Sequence, residues 1–180
     1  MITFETERLW LRKFSLDDLD DLYDFTKNPD VGVMQGWKPH ESREEALTAL
    51  KTFVNDEERW AVVLKEDGKV IGWVKTCDDN NRGKLRAKYI SYVLSSHYWG
   101  NGYTTEAAKR ILCYWFEDRD IDLMTAFCFP HNTRSKRVIE RCGLEYEVTL
   151  KQAKTIYDGQ VFDSVCYSLC KADYFSRRSY

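Results

Sequence analysis

Two stretches of this chain combine residue types and spacings that could do chemistry. In Tyr98-Trp99-Gly100-Asn101-Gly102-Tyr103-Thr104-Thr105-Glu106-Ala107, two glycines stand one residue apart ahead of a helix-like run. Glycines there let a backbone come close to a ligand, and the first turn of a helix offers unpaired N–H groups with partial positive charge. Together they make a seat for phosphate. The same residues also fit a tight strand-to-helix connection that needs glycine only for its dihedrals. The second stretch is Pro130-His131-Asn132-Thr133-Arg134-Ser135-Lys136-Arg137-Val138-Ile139-Glu140-Arg141-Cys142-Gly143-Leu144. Helix physics explains much of it: Asn132 is a good cap, Val138 and Ile139 are the buried side, and Gly143 is a stop. A helix and its stop do not require Ser135. Its hydroxyl either does chemistry or bonds nearby backbone.

Other phosphate-binding patterns fail on detail. No G-x-x-x-x-G-K-[ST] is present, which excludes a P-loop. A dinucleotide fold wants a third glycine where Thr105 stands and an acidic residue after the following strand; Asp118, Asp120 and Asp122 precede that strand. A net charge of −2 without a dense basic run gives nucleic-acid binding little electrostatic support. His40, His97 and His131 lack ligand spacing, so no structural metal is expected.

The elements that must position these stretches follow from periodicity. Ala87, Tyr89, Ser91 and Val93 alternate with Lys88, Ile90, Tyr92 and Leu94, which predicts a strand before the glycines. After them Ala108, Ile111, Leu112, Trp115 and Phe116 recur at helical spacing, with Thr104 or Thr105 as the expected cap. Residues 123–129 are a nearly continuous apolar strand, expected to run parallel to 87–94 through a right-handed crossover. Residues 59–66 and 69–77 pair through Asp67-Gly68 and extend this into an antiparallel meander.

Towards the N-terminus, residues 6–12 alternate as a first strand with Leu9 and Leu11 inward. Ser15 and Ser42 are expected caps of two helices; Asp18 and Glu45 stand three residues on, and Leu16, Leu19, Leu22, Tyr23 and Phe25 or Thr26 form the first apolar side. Asp17, Asp18, Asp20, Asp21 and Asp24 read mainly as a solvated face. Residues 31–40 form an irregular linker containing Met34 and Trp37, and 144–152 with 161–170 close the chain as a hairpin.

At 180 residues, with 43% hydrophobic and 31% charged, the chain fits one soluble domain over 1–180 that needs no staples and has no membrane span. Charges in the first thirteen residues fit no signal peptide, which points to the cytoplasm. The six cysteines show no C-x-x-C pair and read as reduced, mostly buried thiols.

The glycine stretch resembles the acetyl-coenzyme A loop of the GCN5-related N-acetyltransferases, in particular the W-G-x-G-x-x-T-E-A run of the ribosomal-protein alanine acetyltransferase (RimJ/RimL-like) branch. Asn132 to Leu144 resembles the branch pattern N-x-x-S-x-[RK]-[VL]-x-[EK]-x-x-G-[FL], and the opening T-E-R-L-x-L-R and the ending D-S-V-C-Y-S-L extend the likeness over nearly the whole chain. Trp99 and Thr104 depart from the wider superfamily pattern [QR]-x-x-G-x-[GA]. The resemblance implies an α/β (α+β) fold: a mixed, mainly antiparallel sheet of six or seven strands, about four helices, and a central parallel pair splayed around acetyl-CoA. It implies that Tyr92, Val93 and Leu94 bond the cofactor arm, that Trp99, Gly100, Asn101, Gly102, Tyr103, Thr104 and Thr105 hold its pyrophosphate, and that Asn132, Ser135 and Arg137 complete the site. Lys109, Arg110, Arg134, Lys136 and Arg141 lie on the same two helices. Many relatives place a tyrosine seven residues after the asparagine; here that residue is Ile139, which leaves Ser135 to steady or protonate the thiolate. Glu147 and Asp163 are the carboxylates nearest to serve as base, and Met34 and Trp37 are expected to wall the acceptor pocket. The activity implied is acetyl transfer to an amine, either a protein N-terminus or a polyamine or aminoglycoside, by a monomer or homodimer. A cofactor-binding sensor without turnover is the alternative from another class.

Overall fold

One sheet carries both faces of the molecule, and its order, β1-β2-β3-β4-β5-β6-β8-β7, is interrupted only where the last two strands exchange places. The computed structural model describes residues 1–178. The strands are β1 (Phe4–Glu5), β2 (Leu9–Arg12), β3 (Arg59–Leu64), β4 (Val70–Asp78), β5 (Ala87–Leu94), β6 (Leu123–Cys128), β7 (Glu145–Thr155) and β8 (Val161–Cys170). Between them lie α1 (Leu19–Thr26), α2 (Pro29–Val33), α3 (Arg43–Val54), α4 (Tyr103–Cys113), α5 (Thr133–Arg141) and α6 (Lys171–Arg178). All neighbouring strands are antiparallel except β5 and β6. The mixed sheet is as expected. The eighth strand is the two-residue β1, too short to leave a period. The extra helices are α6 and the five-residue α2, which begins at Pro29 inside what reads as a linker.

Two apolar clusters sandwich the sheet. On one face, Ala108, Ile111, Leu112 and Phe116 of α4 and its continuation, with Ile139 of α5, meet Leu9, Leu11, Val62, Ile90 and Met124. On the other, Leu22 and Phe25 of α1 and Leu50 of α3 cover Val63, Trp73 and Val93. Alternation along each strand produces this division. Leu16 stays 55% exposed, because the chain enters α1 through a 3₁₀ turn whose three-residue repeat turns it off the buried stripe. Asp18 closes that turn: it accepts from the Ser15 amide at 2.8 Å and takes both Arg12 guanidinium nitrogens at 2.8 and 2.7 Å. All six cysteines are free, but only Cys128 is buried and Cys77 is exposed. No helix among the described residues is long and apolar enough to cross a membrane.

The feature that positions the site is an opening between the two parallel strands. β5 and β6 pair only at Ala87↔Leu123, Lys88↔Met124 and Tyr89↔Thr125. Beyond that, β5 follows β4 out to Leu94 and β6 follows β8 to Cys128, so the two part.

Candidate active site

A cleft of about 590 Å³ fills the angle between the parting strands and the starts of α4 and α5. Its floor includes Tyr92, Val93 and Leu94, its walls are the glycine loop and the first turns of α5, and Met34 and Gln35 close one end. Val31, Gln35, Thr133 and Val138 line the cleft without having been expected there. Trp99, Gly100, Gly102, Tyr103, Thr104, Thr105, Asn132, Ser135 and Arg137 line it, whereas Asn101 does not. The Asn101 side chain turns back onto the carbonyls of Tyr98 and Trp99 at 3.2 and 3.3 Å.

Local chemistry shapes each part. Gly100 and Gly102 have φ of +84 and +82, conformations an L side chain resists. α4 therefore starts at Tyr103 with left-handed Gly102 as its cap, not at Thr104 or Thr105, and no side chain covers its first-turn amides. A brace holds this loop. The Arg8 guanidinium bonds Glu106 at 2.7 Å, reaches the Asn101 carbonyl at 3.0 Å and lies 4.4 Å over the Tyr103 ring; Thr6 donates to Glu106 at 2.6 Å. Burial alone would raise the Glu106 carboxyl, but bonds from Thr6 and Arg8 outweigh it and hold the group below its ordinary value. Sequence spacing gives no sign of this brace, because its partners stand about a hundred residues apart.

The strand edge divides its duties by alternation. Val93 stands opposite Trp73, and the Ser95 amide donates to the Ile71 carbonyl, so the Val93 peptide belongs to the ladder with β4. Tyr92 and Leu94 present their peptides to the opening. The Trp99 indole N–H donates to the Leu94 carbonyl at 2.9 Å, and Gln35 Nε2 donates to the Tyr92 carbonyl at 3.0 Å. Arg134 lies 3.9 Å over the Trp99 ring and bridges the cleft mouth. On α5, Asn132 Oδ1 accepts the Ser135 amide at 3.1 Å, and Ser135 Oγ lies 3.0 Å from the Tyr92 hydroxyl. Ile139 is 2% exposed and packs into the core, out of reach of the opening.

A second cleft, about 230 Å³, borders the first along a lip where Tyr92 meets Ser135. It shares Met34, Gln35, Tyr92, Asn132 and Ser135 with the first and continues over Tyr89, Phe127, Phe129 and Lys154. Trp37, expected beside Met34, lines neither; it packs on the α1–α3 cluster and against Gly32. Nor are Glu147 and Asp163 brought to the site. Glu147 is clasped by Arg82 at 2.5 and 2.8 Å, which holds its carboxyl below the ordinary value. Asp163 accepts the Gln152 amide at 2.9 Å and Lys151 at 3.0 Å, closing the irregular stretch of β7. Of the flanking cations, Arg134, Arg137 and Arg141 line the larger cleft; Lys109, Arg110 and Lys136 do not.

The larger cleft suits a phosphorylated, amide-bearing arm. It offers uncapped helix amides, open backbone at Gly100, where an added Cβ would meet nothing within 4 Å, three arginines, and a stretch of β5 beyond Tyr89 that β6 does not pair. A model of the acetyltransferase (GNAT) domain matches residues 8–145. The chain belongs to the GNAT acetyltransferase family. As a GNAT enzyme it is an acetyl-CoA-dependent acetyltransferase. It is 29% identical over 182 residues to the uncharacterized N-acetyltransferase p20 of Bacillus licheniformis, covering 97% of this chain and 99% of p20. It is 32% identical over 108 residues to the [ribosomal protein uS5]-alanine N-acetyltransferase of Escherichia coli, covering 60% of this chain and 55% of that one. The crystal structure of a GNAT-family acetyltransferase from Bacillus anthracis superposes with a TM-score of 0.85 at 23% identity, over 95% of this chain and 99% of that one.

Proposed function

We propose that the chain acetylates a primary amine by direct attack, with the donor in the larger cleft, the acceptor in the smaller one, and a protein N-terminal α-amine as the acceptor class. One observation carries this reading: the two clefts meet at a shared lip where Tyr92, Asn132 and Ser135 belong to both. An amine entering from one side therefore meets whatever the other side holds, with no covalent relay through the protein. Acetyl-CoA, when bound, supplies an acetyl group activated as a thioester. The residues do the rest. The α4 amides, Arg134, Arg137 and Arg141 hold the phosphates, the Tyr92 and Leu94 peptides align the arm, and Ser135 faces the sulfur. A C–N bond forms as the C–S bond breaks, the sulfur keeps the bonding pair, and the amine gives up one proton. No carboxylate among the described residues lines the smaller cleft, so that proton leaves through water.

The same lining favours an N-terminal amine over a polyamine or aminoglycoside. A polycation would meet Lys154 and aromatic rings, with no acid to neutralise it. The partial likeness to the uS5-alanine enzyme supports the same class and the RimJ/RimL-like branch. Thiol release from acetyl-CoA tests this across peptides with free Ala or Ser N-termini, their N-blocked forms, spermidine and an aminoglycoside. Turnover confined to free N-termini supports the proposal; turnover with the polycations alone overturns it. Cofactor binding without release from any amine would favour the sensor reading. Ser135→Ala is expected to lower kcat about 10²-fold while donor affinity stays within about threefold.

A further inference from the structure

Ser135 does not stand alone at the lip. Tyr92 rises from β5 beneath the first turn of α5, and its hydroxyl lies 3.0 Å from Ser135 Oγ and 3.0 Å from the Ser135 main-chain oxygen. A phenol carries one hydrogen, so it serves one of these acceptors at a time. While the carbonyl takes it, the contact with Oγ requires the serine hydroxyl to donate back to Tyr92, pointing inward. Once Oγ takes it, the serine hydrogen is released to rotate into the cleft. Two acceptors on one residue, at equal distance from one donor, make a hydroxyl whose direction the tyrosine sets.

Burial pushes the Tyr92 phenol far above its ordinary value. It therefore stays protonated wherever a free amine is available to react. A phenol held neutral this firmly is a poor acid and a permanent hydrogen-bond donor.

We propose that Tyr92 is a positioning residue: by donating to Ser135 Oγ it turns the serine hydroxyl outward, so that a sulfur gaining negative charge at the lip receives a hydrogen bond. No proton changes hands among the three. The sulfur keeps the electron pair of the broken C–S bond, serine and tyrosine keep their hydrogens, and the proton lost by the amine goes to water. The inference rests on the donor reading of the larger cleft.

The test needs no acceptor and no turnover. Free coenzyme A bound to the protein is titrated by the ultraviolet absorbance of its thiolate. Hydrogen bonds to the charged form lower a thiol's midpoint, so Ser135→Ala should raise it by about one pH unit or more. Tyr92→Phe, which keeps the ring against α5, should raise it by about half as much. The double variant should match Ser135→Ala alone, because Tyr92 acts only through the serine. In turnover, Tyr92→Phe should lower kcat about tenfold with donor affinity unchanged and both limbs of the pH profile in place. A wild-type midpoint in Tyr92→Phe, or shifts that add in the double variant, overturns the proposal. Loss of the alkaline limb in Tyr92→Phe also overturns it, by making the tyrosine the acid. Failure of the wild-type protein to bind coenzyme A would instead remove the donor reading itself, whereas coenzyme A bound with the same midpoint in wild type and Tyr92→Phe removes only the role of Tyr92.

Discussion

Two helices begin at the same cleft, and they begin differently. α4 opens on left-handed Gly102, with no side chain over its first amides. α5 opens on Asn132, whose side chain already takes the Ser135 amide at 3.1 Å. The open end can give its amides to an anion; the capped end has spent one and presents the Ser135 hydroxyl instead. One helix start is shaped for charge and the other for a single directed hydrogen bond. The open end also carries Glu106 in its first turn, a charge that would repel phosphate. Arg8 and Thr6 occupy that carboxylate, so the brace both fixes the loop and removes the repulsion.

Closing the open end should have the largest effect. At Gly102→Val, a β-branched side chain would have to adopt φ near +82, with its Cβ 3.6 Å from Arg8 Nη2. Acetyl-CoA affinity by calorimetry should fall about 10²-fold or more. Gly68→Ala, in the turn between β3 and β4 at φ +72 and with open space around the new Cβ, should cost stability without a comparable loss of affinity. Equal affinity loss in both would mean that backbone strain alone, and not the seat for phosphate, separates the two helix starts.

Loosening the brace comes next. Glu106→Gln removes the charge that Arg8 meets and is expected to cost about 1–2 kcal/mol in urea unfolding at pH 7. The pH dependence has a definite sign. The folded Glu106 carboxyl sits below its unfolded value, so its contribution is complete above about pH 4.3 and is lost as pH falls through the folded value. Wild-type and Glu106→Gln stabilities should therefore converge on acidification below about pH 4. A gap that stays constant down to pH 3 would show that Glu106 is no part of the brace.

The contrast between the helix ends was half legible in the sequence. Gly100-x-Gly102 and Asn132-x-x-Ser135 announce themselves because caps and left-handed turns are local, set by residues two or three apart. β5 was readable end to end for the same reason: its alternation is a two-residue period. The pairings that give the site its character are long-range. Tyr92 meets Ser135 across 43 positions, Gln35 meets Tyr92 across 57, and Arg8 meets Glu106 across 98. No local period encodes them. The expectation for Glu147 failed at the same scale, since Arg82, 65 residues away, claims its carboxylate. Trp37 was legible as a large apolar side chain in a loop, but not as one that turns onto Gly32 and the α1–α3 cluster and leaves the lip to Met34 and Gln35.

The smallest effect should come from uncapping the other end, and it separates two roles that Asn132 combines. Asn132 is 8% exposed and lines both clefts, so its side chain serves the helix and faces the ligand space at once. Asn132→Ala leaves the Ser135 amide unpaired and should cost about 1 kcal/mol. For a chain of this length that lowers Tm by about 2–4 °C. Asn132→Asp keeps a capping oxygen, so its Tm should stay within about 1 °C, while the new charge beside the opening weakens donor binding by about three- to tenfold. If both variants lose stability equally, the carbonyl does not cap α5. If Asn132→Asp binds the donor as well as the parent, the asparagine works for the helix alone, and the difference between the two helix starts lies only in their amides.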